Sequence, residues 1–112
     1  MSKRYALIII THFKPAWHSL PEEEQVGFAT RVRRAAEATG VQAVVGYALT
    51  TQGSTLEIWE ADHKTRLEGF KQKLDALGYK KYYDEVLLQG ERAADWIQDS
   101  LSKKEHDAES SG

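Results

Sequence analysis

Glu57 and Trp59 stand two residues apart in Thr55-Leu56-Glu57-Ile58-Trp59-Glu60-Ala61, a run that reads as a strand entering an amphipathic helix near Asp62. Side chains alternate between the two faces of a strand, so a carboxylate and an indole share one wall. The expectation is that Leu56 and Ile58 pack under the helices while Glu57 and Trp59 look the other way. A carboxyl group in a dry, aromatic-walled space is pushed toward its neutral form, which suits a general acid or base. The plainer reading of Glu57 is an edge carboxylate paired with Arg or Lys. Trp59 is a candidate to stack on a planar ligand, set against the commoner role of a strand tryptophan in the core.

His12, near the end of the first strand, joins Glu57 as a candidate catalytic residue, an acid, base or oxyanion donor reaching the same cavity. A solvated strand-end histidine is its bland alternative. Trp17 and His18 precede the first helix, where binding residues tend to sit, although Trp17 also suits a staple at the helix entry. Tyr47, Tyr82 and Tyr83 offer hydroxyls to orient a phenolic or pyrrolic ligand, and equally fit a dimer seam. The candidate substrate-binding set is therefore Trp59, Tyr47, Trp17, His18, Tyr82 and Tyr83. His12, His18 and His63 lack metal-ligand spacing, so no metal is expected. The chain has no cysteine, and no nucleophile elbow, P-loop or dinucleotide fingerprint; no cofactor is expected.

These residues need elements to position them. Tyr5 to Phe13 is β-branched, aromatic and almost wholly apolar, as in a central strand covered on both faces. Ser19-Leu20-Pro21-Glu22 matches a capping box, with Glu22, Glu23 and Glu24 at the positive end of the following helix. Val26, Ala29, Val32 and Ala36 recur at helical spacing with Phe28 flanking, and Gly40 supplies the stop. Val41 to Thr50 reads as a strand with Gly46 marking a bulge or a close approach, and Gln52-Gly53 as the turn of a hairpin into the Thr55 strand. Asp62 is a good N-cap for a helix carrying Leu67, Phe70, Leu74 and Leu77, with Gly78 ending it. An irregular link then leads to a strand over Glu85 to Gln89. Ala93 to about Lys104 suits a C-terminal helix anchored by Trp96, Ile97 and Leu101, and residues 105–112 a frayed polar tail.

The order β-α-β-β-α-β is that of a ferredoxin-like α+β fold, a four-stranded antiparallel sheet with two helices on one face, in a single domain over residues 1–104. Each strand carries apolar residues of both parities, which a solvated sheet face does not need. A homodimer joined through the open sheet face is therefore expected.

Of the 112 residues, 41% are hydrophobic and 29% charged, with a formal net charge of -2. Charges of both signs are interspersed, and nothing resembles the basic stripe that displaces counterions from nucleic acid, so no nucleic-acid partner is expected. The apolar run Tyr5 to Ile10 is too short for a signal sequence or a membrane span. A cytoplasmic protein with no membrane partner is the default expectation.

Over residues 4 to about 91 the chain resembles the dimeric α+β barrel superfamily, whose subunits enclose small-molecule cavities. Glu57-Ile58-Trp59, followed by the helix of Leu67 and Phe70, is similar to the Glu-x-Trp segment of antibiotic-biosynthesis monooxygenase-type members. Phe13-Lys14-Pro15-Ala16-Trp17, Ser19-Leu20-Pro21, Gly78-Tyr79 and Tyr82-Tyr83 look like the darcynin-type branch, and the chain also resembles small barrel proteins of prodigiosin-type pigment pathways. The superfamily includes cofactor-free monooxygenases, polyketide cyclases and haem-degrading enzymes, so the fold alone selects no chemistry. The monooxygenase and haem-degrading members commonly pair an Asn with the Trp, and this chain has no Asn.

The resemblance implies a cofactor-independent enzyme acting on a planar aromatic or heteroaromatic secondary-metabolite intermediate, with Glu57 or His12 moving a proton. The alternatives are a non-catalytic carrier of such an intermediate, bound alone or with a biosynthetic enzyme, and a module whose open sheet face only dimerises.

Overall fold

The computed structural model describes residues 3–50 and 53–92. Its elements are β1 (Tyr5–Phe13), α1 (Pro15–His18), α2 (Glu22–Thr39), β2 (Gln42–Leu49), β3 (Ser54–Ala61), α3 (Lys64–Ala76) and β4 (Tyr83–Glu91). The sheet is antiparallel with order β2-β3-β1-β4. This is the ferredoxin-like βαββαβ arrangement expected, with the single-turn α1 added before α2. Gln52 of the expected hairpin turn, the expected C-terminal helix and the tail lie outside the described residues.

β1 is an inner strand, between β3 and β4. Its register sets Leu7 opposite Trp59 and Gln89, and Ile9 opposite Glu57 and Leu87. Residues of that parity face the helices: Leu7, Ile9, Trp59 and Ala61 form one buried cluster with Ala35, Ala36, Leu67, Phe70 and Leu74. The opposite parity, carrying Ile8, Ile10, Leu56, Ile58, Val86 and Leu88, forms the open face, which no helix among the described residues covers. The expected orientation of β3 is thus reversed. Leu56 and Ile58 look outward, and Glu57 and Trp59 lie under the helices. The reason is packing: Phe70 on α3 meets the Trp59 indole at 4.9 Å between ring centroids, and the largest apolar side chain of the strand goes where a helix can enclose it.

The helix ends also differ from the sequence reading. Ser19 does not cap α2. Its hydroxyl donates to the Pro15 carbonyl at 3.3 Å, and Pro21 holds the N-cap position without a side-chain bond. α3 is preceded by His63, because Asp62 is drawn away to Arg66 at 2.8 Å. Gly40 ends α2 with φ 72, the left-handed conformation that favours glycine. On α2 the sheet-facing stripe is Phe28, Val32, Ala35 and Ala36, whereas Val26 is 58% exposed and Ala29 is exposed. Of the four apolar residues at helical spacing, Val32 and Ala36 belong to the buried stripe, and Val26 and Ala29 do not. The bulge in β2 falls between Ala43 and Val45, and Gly46 pairs regularly with Glu57.

At one end of the open face Glu60 is buried under two arginines. Its carboxylate accepts from Arg4 Nε at 3.4 Å and Arg92 Nε at 3.0 Å, while Arg4 Nη2 donates to Gln42 Oε1 at 2.8 Å. The backbone N–H of Arg92 donates to the Arg4 carbonyl at 2.9 Å. Among the described residues no helix is long and apolar enough to cross a membrane.

Truncation of Phe70 to alanine empties the centre of the α3–sheet contact and is expected to lower unfolding free energy by about 3–5 kcal/mol. Val26→Ala is expected to change it by no more than about 0.5 kcal/mol. Urea denaturation of both variants checks the assignment, and equal losses would contradict it.

Candidate functional site

Three strands meet under the start of α2 to form a cleft. β1 contributes Ile9, Thr11 and Phe13, β3 contributes Glu57, and β4 contributes Tyr83 and Glu85; Phe28 and Val32 of α2 and Leu74 of α3 cover them. The sheet register explains the assembly, since Phe13 stands opposite Tyr83, Thr11 opposite Glu85 and Ile9 opposite Glu57. Two carboxyl groups thus enter an otherwise apolar and aromatic space from the same sheet face.

Glu57 is held by its own strand. Trp59 Nε1 donates to Glu57 Oε2 at 3.0 Å, possible because residues two apart in a strand project from the same face. Burial pushes the Glu57 carboxyl above its usual value, and the Trp59 hydrogen bond pulls in the opposite direction. Burial wins, since removing a carboxylate from water penalises the charged form more than one neutral donor favours it. The folded state therefore holds the Glu57 proton to higher pH than the unfolded chain. The corresponding stability is fully present below the unfolded value near 4.5 and is lost as pH rises through the higher folded value.

Glu85 is raised in the same direction, first by burial, then by the negative charges of Asp75 and Glu57, with Lys80 opposing. Tyr83 is only 5% exposed. Burial and the charges of Glu85, Asp75 and Glu57 push its phenol up to about 12, so it stays protonated. Aromatic rings continue outward from the cleft. Trp17 stacks on Phe13 at 4.8 Å and meets Phe28 edge-on at 5.3 Å, and Tyr79 lies 4.5 Å from Phe28.

The sequence candidates divide accordingly. Glu57 and Tyr83 line the cleft, and Trp17 backs its aromatic wall. Trp59 does not line it; the indole belongs to the core and acts on the site through its N–H. His12 lies on the opposite face of the sheet, where its Nδ1 is 3.2 Å from Ser54 Oγ, so it does not share a cavity with Glu57. Tyr47 is on the open face of β2, 58% exposed. His18 is exposed at the end of α1. Tyr82 lies in the turn before β4, 5.6 Å from Tyr79, with the Lys81 ammonium over its ring.

Glu85, Phe13 and Phe28 were not singled out from sequence as site residues. The available signal was parity: once Glu57 is assigned to the helix face, register brings an inward acid from β4. The cleft measures about 40 Å³, room for small groups and well below the ~300 Å³ at which drug-sized pockets begin. A larger groove of about 300 Å³ lies at the other end of the sheet, lined by Tyr5, Lys64, Leu67 and the Gln89–Glu91 strand end. It contains none of the candidate residues.

The fold and register define a ferredoxin-like α+β protein. Among solved structures the chain is similar to two variants of chlorite dismutase from Candidatus Nitrospira defluvii. One is 16% identical with a TM-score of 0.62, the other 18% identical with a TM-score of 0.60, and each match covers 81% of this chain and 40% of that chain. The chain thus spans less than half the length of these proteins, and the likeness is one of fold. No family model and no curated protein sequence matches it.

Replacing Trp59 with Phe removes the donor that favours the charged form of Glu57. Carbon-detected NMR titration of the Glu57 carboxyl is expected to show its midpoint moving further upward, whereas a downward move would contradict the Trp59–Glu57 bond.

Proposed function

We propose that the protein acts on a small planar aromatic or heteroaromatic molecule without a cofactor, with Glu57 transferring a proton at the cleft. The observation that carries this reading is a carboxyl group fixed by an indole N–H in a largely apolar, aromatic-lined cleft, where burial favours its protonated form relative to water. Phe13, Phe28 and Tyr83 supply faces for a ring, and Trp17 extends that surface outward. At about 40 Å³, the cleft admits the reacting edge of a ligand while the rest of the ring lies at the aromatic mouth. The structural neighbours are named for chemistry on a small molecule, which is compatible with this use of the fold. A role in secondary-metabolite or pigment synthesis rests on the sequence resemblance alone, and the carrier reading shares the same cleft.

Exchange of ring hydrogen for deuterium separates catalysis from carriage. In D2O, 2-naphthol exchanges its C1 hydrogen when an acid delivers a deuteron to the carbon and the conjugate base removes the proton. Wild type is expected to accelerate this exchange at least about a hundredfold over Glu57→Gln, read by proton NMR. Binding without acceleration supports the carrier reading, and absence of binding refutes both.

We also propose that a second copy of the chain covers the open sheet face. Tyr47, Val86 and Leu88 are 58%, 54% and 49% exposed, alongside Ile8, Ile10, Leu56 and Ile58 of the same parity. An apolar surface continuous over four strands is larger than single exposed residues account for. Sedimentation is expected to give twice the 12.7 kDa chain mass for wild type and the chain mass for Leu88→Lys. A wild-type monomer at micromolar concentration would refute the proposal.

A further inference from the structure

We propose that the ligand accepted by this cleft carries a cationic nitrogen, an ammonium or protonated imine-like head placed against Glu57 and Glu85, with its aromatic body at the mouth. This rests on the cleft being the ligand site and adds the charge class of what enters it.

Composition of the walls carries the argument. Two carboxyl groups and the Phe13, Phe28 and Tyr83 rings line the cleft, and no Lys or Arg does. The surrounding cations are engaged elsewhere. Lys80 lies 3.3 Å from Asp75 and Lys14 lies 3.3 Å from Asp84, while the Arg31 guanidinium donates to the Tyr79 hydroxyl beyond Phe28. Glu85 makes no direct ion pair among the described residues, and Lys80, which offsets part of its negative surroundings, is itself paired with Asp75. Aromatic faces attract cations through the ring quadrupole and add to the carboxylates. An anion, such as the chlorite in the neighbours' name, would instead meet two acids of its own sign.

Tyr83 adds a polar group to the same wall. The residue is 5% exposed and lines the cleft, but its hydroxyl is not sealed in the core, since the buried side-chain oxygen left without a partner among the described residues is that of Thr55. The Tyr83 oxygen is therefore open to a hydrogen bond from a ligand or from water. A nitrogen-borne proton in the cleft would satisfy its oxygen. Size agrees as well. A volume of about 40 Å³ exceeds the ~10–15 Å³ needed to seat one water, and an ammonium head is close to water in size. Binding a cation favours the charged forms of Glu57 and Glu85, so affinity should rise with pH as these carboxyls ionise, until the ligand nitrogen itself loses its proton.

Calorimetric titration near neutral pH with 2-naphthylmethylammonium and its neutral counterpart 2-naphthylmethanol tests the inference. The ammonium is expected to bind about tenfold or more tightly, and Glu85→Gln is expected to erase most of that preference while keeping the wild-type fold by NMR. Equal or tighter binding of the alcohol overturns the inference but leaves the cleft as a ligand site. Retention of the full preference in Glu85→Gln also overturns it. If neither probe nor 2-naphthol perturbs cleft resonances, this inference and the proposed function fall together.

Discussion

The position of Trp59 constrains the rest of the structure. Its ring, 8% exposed, fills the space between β3 and α3 against Phe70, and no other residue of β3 has comparable apolar bulk. Once the indole is under the helix, strand periodicity leaves Glu57 no choice of face. A glutamate is thereby carried into the helix–sheet layer, where it would be costly without compensation. The same indole supplies part of that compensation. Its own N–H, which would otherwise be orphaned in the core, donates to the glutamate, so each buried polar group satisfies the other. Core packing and the candidate chemistry are one arrangement.

The sheet has two apolar faces, one under the helices and one that no described helix covers, and this explains both what the sequence discloses and what it hides. Element order, the four-stranded antiparallel sheet, the Gly40 stop and the inner place of β1 follow from local patterns of β-branched runs, helical spacing and turn residues, and all appear in the structure. Orientation does not follow from such patterns. Leu56 and Ile58 look like the inward pair of β3 because they are aliphatic, yet alternation of hydropathy identifies the core only when the other face meets water. On this sheet both faces are apolar, so alternation does not decide. The same ambiguity set Val26 on the wrong side of α2, since a helix with apolar residues outside its buried stripe permits more than one reading of the face.

The candidate site shows a related limit. Glu57 was legible because an acid beside a tryptophan in a strand is unusual. Glu85 was not, because its significance comes from a pairing across β1 that links residues 28 positions apart through a third strand. His12 illustrates the converse. Proximity to the end of β1 suggested a shared cavity with Glu57, but even and odd positions of one strand are separated by the thickness of the sheet. Tyr83, four residues beyond Tyr79, packs inward because it begins β4 opposite Phe13, whereas Tyr82 remains in the turn.

Glu60 ties the beginning of β1 to the end of β4, since Arg4 and Arg92 share its carboxylate and also join through their backbones. The first and last strands of the βαββαβ unit therefore enter and leave at one place. A unit with that geometry is suited to tandem duplication. Two copies encoded in a single polypeptide need only a short connection from the last strand of one to the first strand of the next, with every internal contact retained.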